Sequence, residues 1–237
     1  MLSPQLIQAA LPAHSQRWES VVHLLRLAIV TGDLAPGTHL IETELAQQLN
    51  VSRGPIRDAL TRLESEGLVV NQPYRGKFVA DITIQDISDI YALRLLLENY
   101  AISRILSRGV SEDEIARLRE LRQQMIKAIS QNRYEECADY DVMFHRELVT
   151  LAGSDRLLQM WNTLAGVSHA FIVVNMRNQA DIVLGLARGH DTIIEALARR
   201  DAAAARAALE KHLGEAEQAI LQARHTQPLE AAASPEL

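Results

Sequence analysis

The chain has 237 residues, 48% apolar, 23% charged and only 4% aromatic, enough for one large domain or two modest ones with hydrophobic cores. Seven prolines and eleven glycines leave little room for long linkers, and no apolar run approaches the roughly 20 residues that cross a bilayer, so no membrane partner is expected. The net charge of −6 argues against a nucleic-acid partner until its distribution is read: residues 1–80 hold seven Lys/Arg and seven acids, so the whole deficit lies in residues 81–237.

The stretch from Ser15 to Thr31 carries Val21, Leu24, Leu25, Ala28 and Ile29 at helical spacing, and Gly32 ends it. A turn-rich connector, "GDLAPGTHL", leads to a short second helix, "ETELAQQLN", with Leu45 and Leu49 one turn apart. Asn50-Val51 makes the turn. Ser52 then reads as the N-cap of a third helix, with Pro55 in its first turn, where its missing N–H breaks no helical bond. Ile56, Leu60 and Leu63 form the buried stripe, and Gly67 closes the helix. "LVV" and "KFVA" read as two strands around a basic tip, "NQPYRG". Two helices across a tight turn, the second opening on Ser52 and Arg53 with Arg57 one turn on, is the geometry of major-groove recognition. Arg75 and Lys77 on the wing are placed for phosphate or the minor groove. A helical hairpin with solvated arginines has the same pattern, so spacing alone leaves both readings open.

The segment "GDLAPGTHLIETELAQQLNVSRGPIRDALTRLESEGLVVNQPYRGKFVA" resembles the winged-helix head of the GntR family of bacterial transcriptional regulators. The lead-in G-x-L-x-P-G, the run VSR-x-P-I-R-x-AL and the glycine-bearing wing carry the resemblance over about fifty ungapped residues. It implies DNA contact by Ser52, Arg53, Arg57 and Gly76. Thr43 falls where some relatives carry a DNA-contacting arginine, with a shorter reach. Residues 1–80 are therefore expected to be a winged helix-turn-helix that binds a short inverted repeat in double-stranded DNA as a homodimer.

From residue 81 every segment reads as helix: residues 83–109 with Ile84, Ile87, Ile90, Tyr91, Leu95, Leu97 and Ile105 as the apolar stripe, then a helix capped by a Ser111/Glu114 box. Helices over 132–152, 154–177 and 180–200 follow, and a last one runs from Asp201, its N-cap, to about Ala223. Breaks of one to four residues imply an antiparallel bundle over 81–225, and residues 226–237 read as a flexible tail. "CADYDVMFHREL" is core-seeking through Met143, Phe144 and Leu148, yet places Asp141 and His145 on one face. They are a structural pair, a catalytic dyad or two metal ligands. His190 and His212 each lie near apolar stripe positions (Ile193, Ile194 and Leu197; Leu209 and Leu213), and three inward imidazoles with one carboxylate suit a divalent ion such as Zn²⁺, Ni²⁺ or Mn²⁺. His169 is read as an ordinary core histidine. Cys137, the single cysteine, is read as an inert core thiol, and with no signal peptide at the N-terminus it points to a reducing cytoplasm.

The body resembles the ligand-binding domain of the FadR-like (FCD) subfamily, whose metal-containing members carry D-x-x-x-H on one helix and a histidine in each of the last two. Asp141, His145, His190 and His212 match those positions. Arg94, in "IYALRLLLE", falls where relatives place an arginine that meets an effector carboxylate. No HExxH, P-loop, GxGxxG or supported Ser/His/Asp arrangement is found, so an enzyme is not expected. The resulting expectation is a DNA-binding regulator that senses a small organic acid through a metal. A regulator for which the metal itself is the signal and, further off, a metal-dependent hydrolase are the alternatives.

Overall fold

The computed structural model of the protein describes residues 17–178 and 180–226, so Ser15, Gln16 and the expected tail beyond Thr226 lie outside the described residues. The chain forms two compact units, meeting in sequence between Thr83 and Ile84.

The first unit contains α1 (Arg17–Thr31), α2 (Glu42–Gln48), α3 (Arg53–Ser65), β1 (Val69–Gln72) and β2 (Gly76–Val79). Val21, Leu24, Leu25, Ala28 and Ile29 of α1 are buried, as are Ile56, Leu60 and Leu63 of α3, which packs on both α1 and α2. This is the helical periodicity expressed as a core. β1 and β2 pair antiparallel in the register Val69 with Val79 and Gln72 with Gly76, so the tip is shorter than expected, Pro73 to Arg75. The connector, which sequence reads only as turn, adds a third edge to β2 through Leu40 N to Lys77 O (2.8 Å) and Val79 N to Thr38 O (3.0 Å). A one-residue bridge, His39 to Phe78, is too short to leave a periodic trace.

Glu66 is buried at the end of α3. Arg26 grips it bidentately, with Nε to Oε2 and Nη2 to Oε1 both at 2.9 Å, and Arg62 Nε donates to Oε1 at 2.8 Å. Two of the head's seven bases are thus structural, because a buried carboxylate must be paired. At the wing Gly76 has φ +97, and a Cβ there would come 2.7 Å from His39 Nε2, which stacks on Phe78. Glycine is the residue that fits.

The second unit is all helix: α4 (Ile84–Arg108), α5 (Glu112–Ser130), α6 (Tyr134–Leu151), α7 (Asp155–Asn178), α8 (Ala180–Ala198) and α9 (Ala202–Thr226). α6 packs on α5 and α7, α9 packs on α8, and α4 closes the bundle against α6, α7 and α9. Ser111 caps α5 in a full capping box, and Asp201 Oδ1 accepts from Ala204 N at the start of α9. The expected apolar stripe of α4 is corrected. Ile87, Tyr91 and Ile105 are buried, but Ile90, Leu95 and Leu97 are only partly so and Ile84 is exposed, while Arg94 and Glu98 occupy inward positions. The phase is set by Tyr91, Ala101, Ile102 and Ile105, and steps of three and four residues between Tyr91 and Ala101 land on 94 and 98. Met143, expected to seek the core, is 51% exposed, whereas Phe144 and Leu148 beside it are fully buried.

Candidate functional site

Four side chains from three helices of the bundle meet at one buried point. Asp141 and His145 sit one turn apart on α6, on the face that Cys137, Phe144 and Leu148 turn inward. His190 comes from α8, where Ile193, Ile194 and Leu197 are buried, and His212 from α9 beside Leu209 and Leu213. One ligand atom from each lies within 4.8 Å of all the others. His145 Nε2 is 3.1 Å from His212 Nε2 and 3.3 Å from His190 Nε2, which is 3.2 Å from Asp141 Oδ1. His169 stands apart, buried with Nε2 2.9 Å from Asp139 Oδ1.

Partners behind the rings assign the protons. His145 Nδ1 lies 2.6 Å from Glu98 Oε2 and His190 Nδ1 lies 3.3 Å from the Ala187 carbonyl, both acceptors only, so each Nδ1 carries the hydrogen. In a neutral ring Nε2 is then a bare lone pair. Two such lone pairs face each other and the Asp141 carboxylate across about hydrogen-bond distance with no proton between them, an arrangement that a cation relieves. At a metal–nitrogen distance of about 2.1 Å, ligand nitrogens are about 3.0 Å apart at a right angle and about 3.4 Å at the tetrahedral angle. The separations of 3.1 and 3.3 Å fall in that interval. The residues fit a borderline divalent ion.

Gly189 helps shape the cluster, because a Cβ there would stand 2.7 Å from His212 Nδ1. Glycine before His190 lets the α9 imidazole lie against the α8 backbone, so one dipeptide serves two ligands. Burial, and then the neighbouring His190 and His145, hold the His212 pKa well below its usual value. Burial pushes the Asp141 carboxyl up, but the surrounding imidazoles, with His190 Nε2 at 3.2 Å, outweigh it and leave the acid well below the carboxylate range.

Glu98, fully buried on α4, connects this cluster to the rest of the core. Its Oε2 faces His145, while Oε1 accepts from Trp161 Nε1 at 2.9 Å and Arg94 Nε at 3.1 Å. Burial would raise its pKa, yet His145 and Arg94 bring it down to about 2. Arg94 is itself buried, with its guanidinium 5.4 Å from the Tyr91 ring centre. Its one hydrogen-bond partner among the described residues is Glu98, through Nε, which leaves the end of the guanidinium fork uncommitted. Arg94 lines a cavity with Tyr91, Asp141, His145 and His212, walled by apolar residues such as Met125 and Leu213. The Tyr91 hydroxyl has no partner in the protein among the described residues. Cys137 also lines it, but burial pushes its thiol up to about 12, so it is inert at neutral pH.

In the head, Ser52, Arg53 and Arg57 are exposed at the start of α3, Thr43 is exposed on α2, and Arg75 and Gly76 are exposed on the wing. Arg53 Nη2 makes a 3.3 Å contact with Glu42 Oε2, an exposed pair of small energetic weight. Lys77, expected to serve phosphate, is instead paired with Glu64 of α3. Glu98, Trp161 and Gly189 were not singled out by sequence, and Tyr91 was read only as part of the apolar stripe. The signals that could have found them are the i, i+4 pair Arg94/Glu98 and the glycine beside His190.

Comparison with known proteins agrees with both units. Residues 18–79 match the family "Bacterial regulatory proteins, gntR family", and residues 89–215 match the FCD domain family. The gluconate operon transcriptional repressor of Bacillus licheniformis is 33% identical over 65% of this chain, a match spanning 62% of that repressor's length. The transcriptional repressor RspR of Escherichia coli K12 is 28% identical over 87% of this chain and 90% of its own. A solved GntR regulator from Rhodococcus sp. RHA1 has a TM-score of 0.66 at 26% identity over 88% of this chain and 99% of that one. Escherichia coli McbR/YncC has a TM-score of 0.71 at 20% identity, covering 89% and 99%, a likeness of fold. These families and relatives are transcriptional regulators, not enzymes. The chain belongs to the GntR family of bacterial DNA-binding transcriptional regulators and carries an FCD domain behind its winged helix-turn-helix.

Proposed function

We propose that this regulator holds one divalent ion on Asp141, His145, His190 and His212 and uses it, with Arg94, to bind a small monocarboxylate that modulates operator binding. The observation that carries the reading is the convergence of three imidazole Nε2 atoms and a carboxylate in the core, two of them with no proton to share. Charge supports it further. The buried formal charges of the bundle, among the described residues, are Arg94, Glu98 and Asp141, which sum to one negative charge with neutral imidazoles. A divalent ion turns this into one positive charge, and a single carboxylate then brings it to neutrality, the cheapest state in a dry core. The ion supplies a Lewis-acid anchor for one carboxylate oxygen. Arg94 takes the other with its uncommitted amino groups, and Tyr91 offers a hydroxyl nearby.

DNA is read by the exposed start of α3, where Arg53 and Arg57 reach base edges or phosphates and Ser52 the backbone, with Arg75 and Gly76 on the wing and Thr43 on α2 in support. The protein acts in the bacterial cytoplasm, where its DNA is. It binds a short inverted repeat as a homodimer, since two-fold proteins read two-fold sites. Leu93, Leu96 and Tyr100, all exposed on one stretch of α4, give the bundle an apolar face suited to self-association. Among the described residues no helix is long and apolar enough to cross a membrane.

Metal analysis of the purified chain is expected to find close to one divalent ion per protomer. Thermal-shift screening against short monocarboxylates should raise the melting temperature of the metal-loaded protein and leave the chelated protein unmoved. Equal shifts in both forms would remove the metal as the anchor, and metal alone switching DNA binding would make the ion itself the signal.

A further inference from the structure

We propose that Glu98 is the positioning residue of the metal cluster, a single buried carboxylate that fixes His145 through one oxygen and Arg94 through the other. The proposal rests on the metal reading above for its consequence, but its geometry stands without the ion. Glu98 is fully buried and lies on α4, which contributes no ligand to the cluster, so its placement there is not explained by coordination. Its acceptor capacity is divided cleanly. Oε2 faces His145 Nδ1 at 2.6 Å, and Oε1 takes Trp161 Nε1 at 2.9 Å and Arg94 Nε at 3.1 Å.

Each contact does separate work. The carboxylate holds the hydrogen of His145 on Nδ1 and so turns a lone pair on Nε2 toward His190 and His212. An acceptor behind a ligating imidazole also makes the ring a stronger donor, and loss of such a partner commonly weakens metal binding about 10–100-fold. The bond to Arg94 Nε engages one edge of the guanidinium and leaves the amino groups of this cavity-lining residue uncommitted. Trp161, from α7, holds the carboxylate still while it serves both. A displacement of Glu98 therefore moves the metal ligand and the arginine together, which makes the occupancies of the two sites interdependent.

The test compares the full chain with Glu98→Gln, and with Glu66→Gln as the same change at the buried carboxylate of the head. Ni²⁺ affinity is measured by chelator competition, and side-chain ¹⁵N spectra of the metal-free wild type give the His145 tautomer and the Arg94 Nε–H signal. Glu98→Gln should bind Ni²⁺ about 10–100-fold more weakly, and Glu66→Gln should bind it as wild type does. The wild type should show a hydrogen-bonded His145 Nδ1–H and a slowly exchanging Arg94 Nε–H, and Glu98→Gln, which keeps a single carbonyl acceptor, should lose one of the two. Wild-type Ni²⁺ affinity in Glu98→Gln, or an equal loss in Glu66→Gln, would overturn the proposal. If Glu98→Gln does not fold, the wild-type spectra decide alone, and a His145 with its hydrogen on Nε2 sinks it. A wild type that binds no Ni²⁺ yet shows the Nδ1 tautomer removes the metal reading and leaves the assignment of Glu98 standing.

Discussion

The two units place their polar residues in opposite ways. In the head, Glu66 is buried and spent on structure, while Ser52, Arg53, Arg57 and Arg75 stand in solvent. In the body, Arg94, Glu98, Asp141, His145, His190 and His212 are all buried, and they are the candidate site. A surface that reads DNA needs only a rigid platform and side chains of the right length, because water solvates them until the partner arrives. A buried site must satisfy every donor and charge from within the fold. That demand recruits residues such as Glu98 and Trp161, which hold His145 and Arg94 from behind.

The sharpest way to break this contrast is to strip the metal. An ion held by ligands from three helices stabilises the bundle by mass action, by about 4 kcal/mol at a free concentration 1,000 times Kd. A chelator should lower the melting temperature of the wild type. His145→Ala and His212→Ala should lose that sensitivity and His169→Ala should keep it. Calorimetry showing no chelator effect on the wild type would leave the buried cluster as a purely structural network. The metal-free protein should also be acid-sensitive. His212 is held neutral in the fold, whereas the unfolded chain takes its proton at the usual value of 6.5. Below that pH the unfolded state binds more protons, so stability is present above about 6.5 and falls as pH drops.

The next effect belongs to the head. Arg53→Ala and Arg57→Ala should each cost about 1–3 kcal/mol at the operator and less than about 0.5 kcal/mol in thermal stability, since both side chains are exposed. Gel shifts at fixed salt and a melting curve check the two halves together. Binding unchanged in the double variant would show that α3 is a scaffold and not a reader.

The same contrast explains what could be read in advance. The helices and the wing of the head were legible because their apolar spacing lies in one short continuous segment, whereas the bridge from His39 to Phe78 and the pairing of Lys77 with Glu64 left no periodic trace. In the body, Asp141 and His145 were legible through their i, i+4 spacing, and His190 and His212 through the apolar positions around them. Glu98 was hidden by its neighbours. "LRLLLENY" offers four leucines distributed around the helix, and only packing against α6, α7 and α9 selects the phase that buries Arg94 and Glu98 and exposes Leu93 and Leu96. Periodicity cannot choose a face when apolar residues cover most of them.

The smallest effect is the most selective, and it uses one residue type in both units. Ser52 and Ser111 each stand at the N-cap of a helix with extended backbone, at ψ 163 and ψ 160. Ser111 Oγ accepts from Glu114 N at 3.2 Å, and Glu114 Oε2 accepts from Ser111 N at 2.8 Å, a closed box that Arg108 braces through the same carboxylate. Ser52, expected to cap α3, makes no side-chain cap bond, and its hydroxyl is exposed. Ser111→Ala should therefore destabilise the bundle by about 1 kcal/mol, the ordinary cost of a lost cap, and leave DNA affinity untouched. Ser52→Ala should do the reverse, leaving the melting curve in place and weakening the operator complex by the worth of one neutral hydrogen bond, about 0.5–1.5 kcal/mol. If Ser52→Ala lowered the melting temperature as much as Ser111→Ala, its hydroxyl would be holding α3 in solution, and the head would no longer be the unit that keeps its polar groups free for a partner.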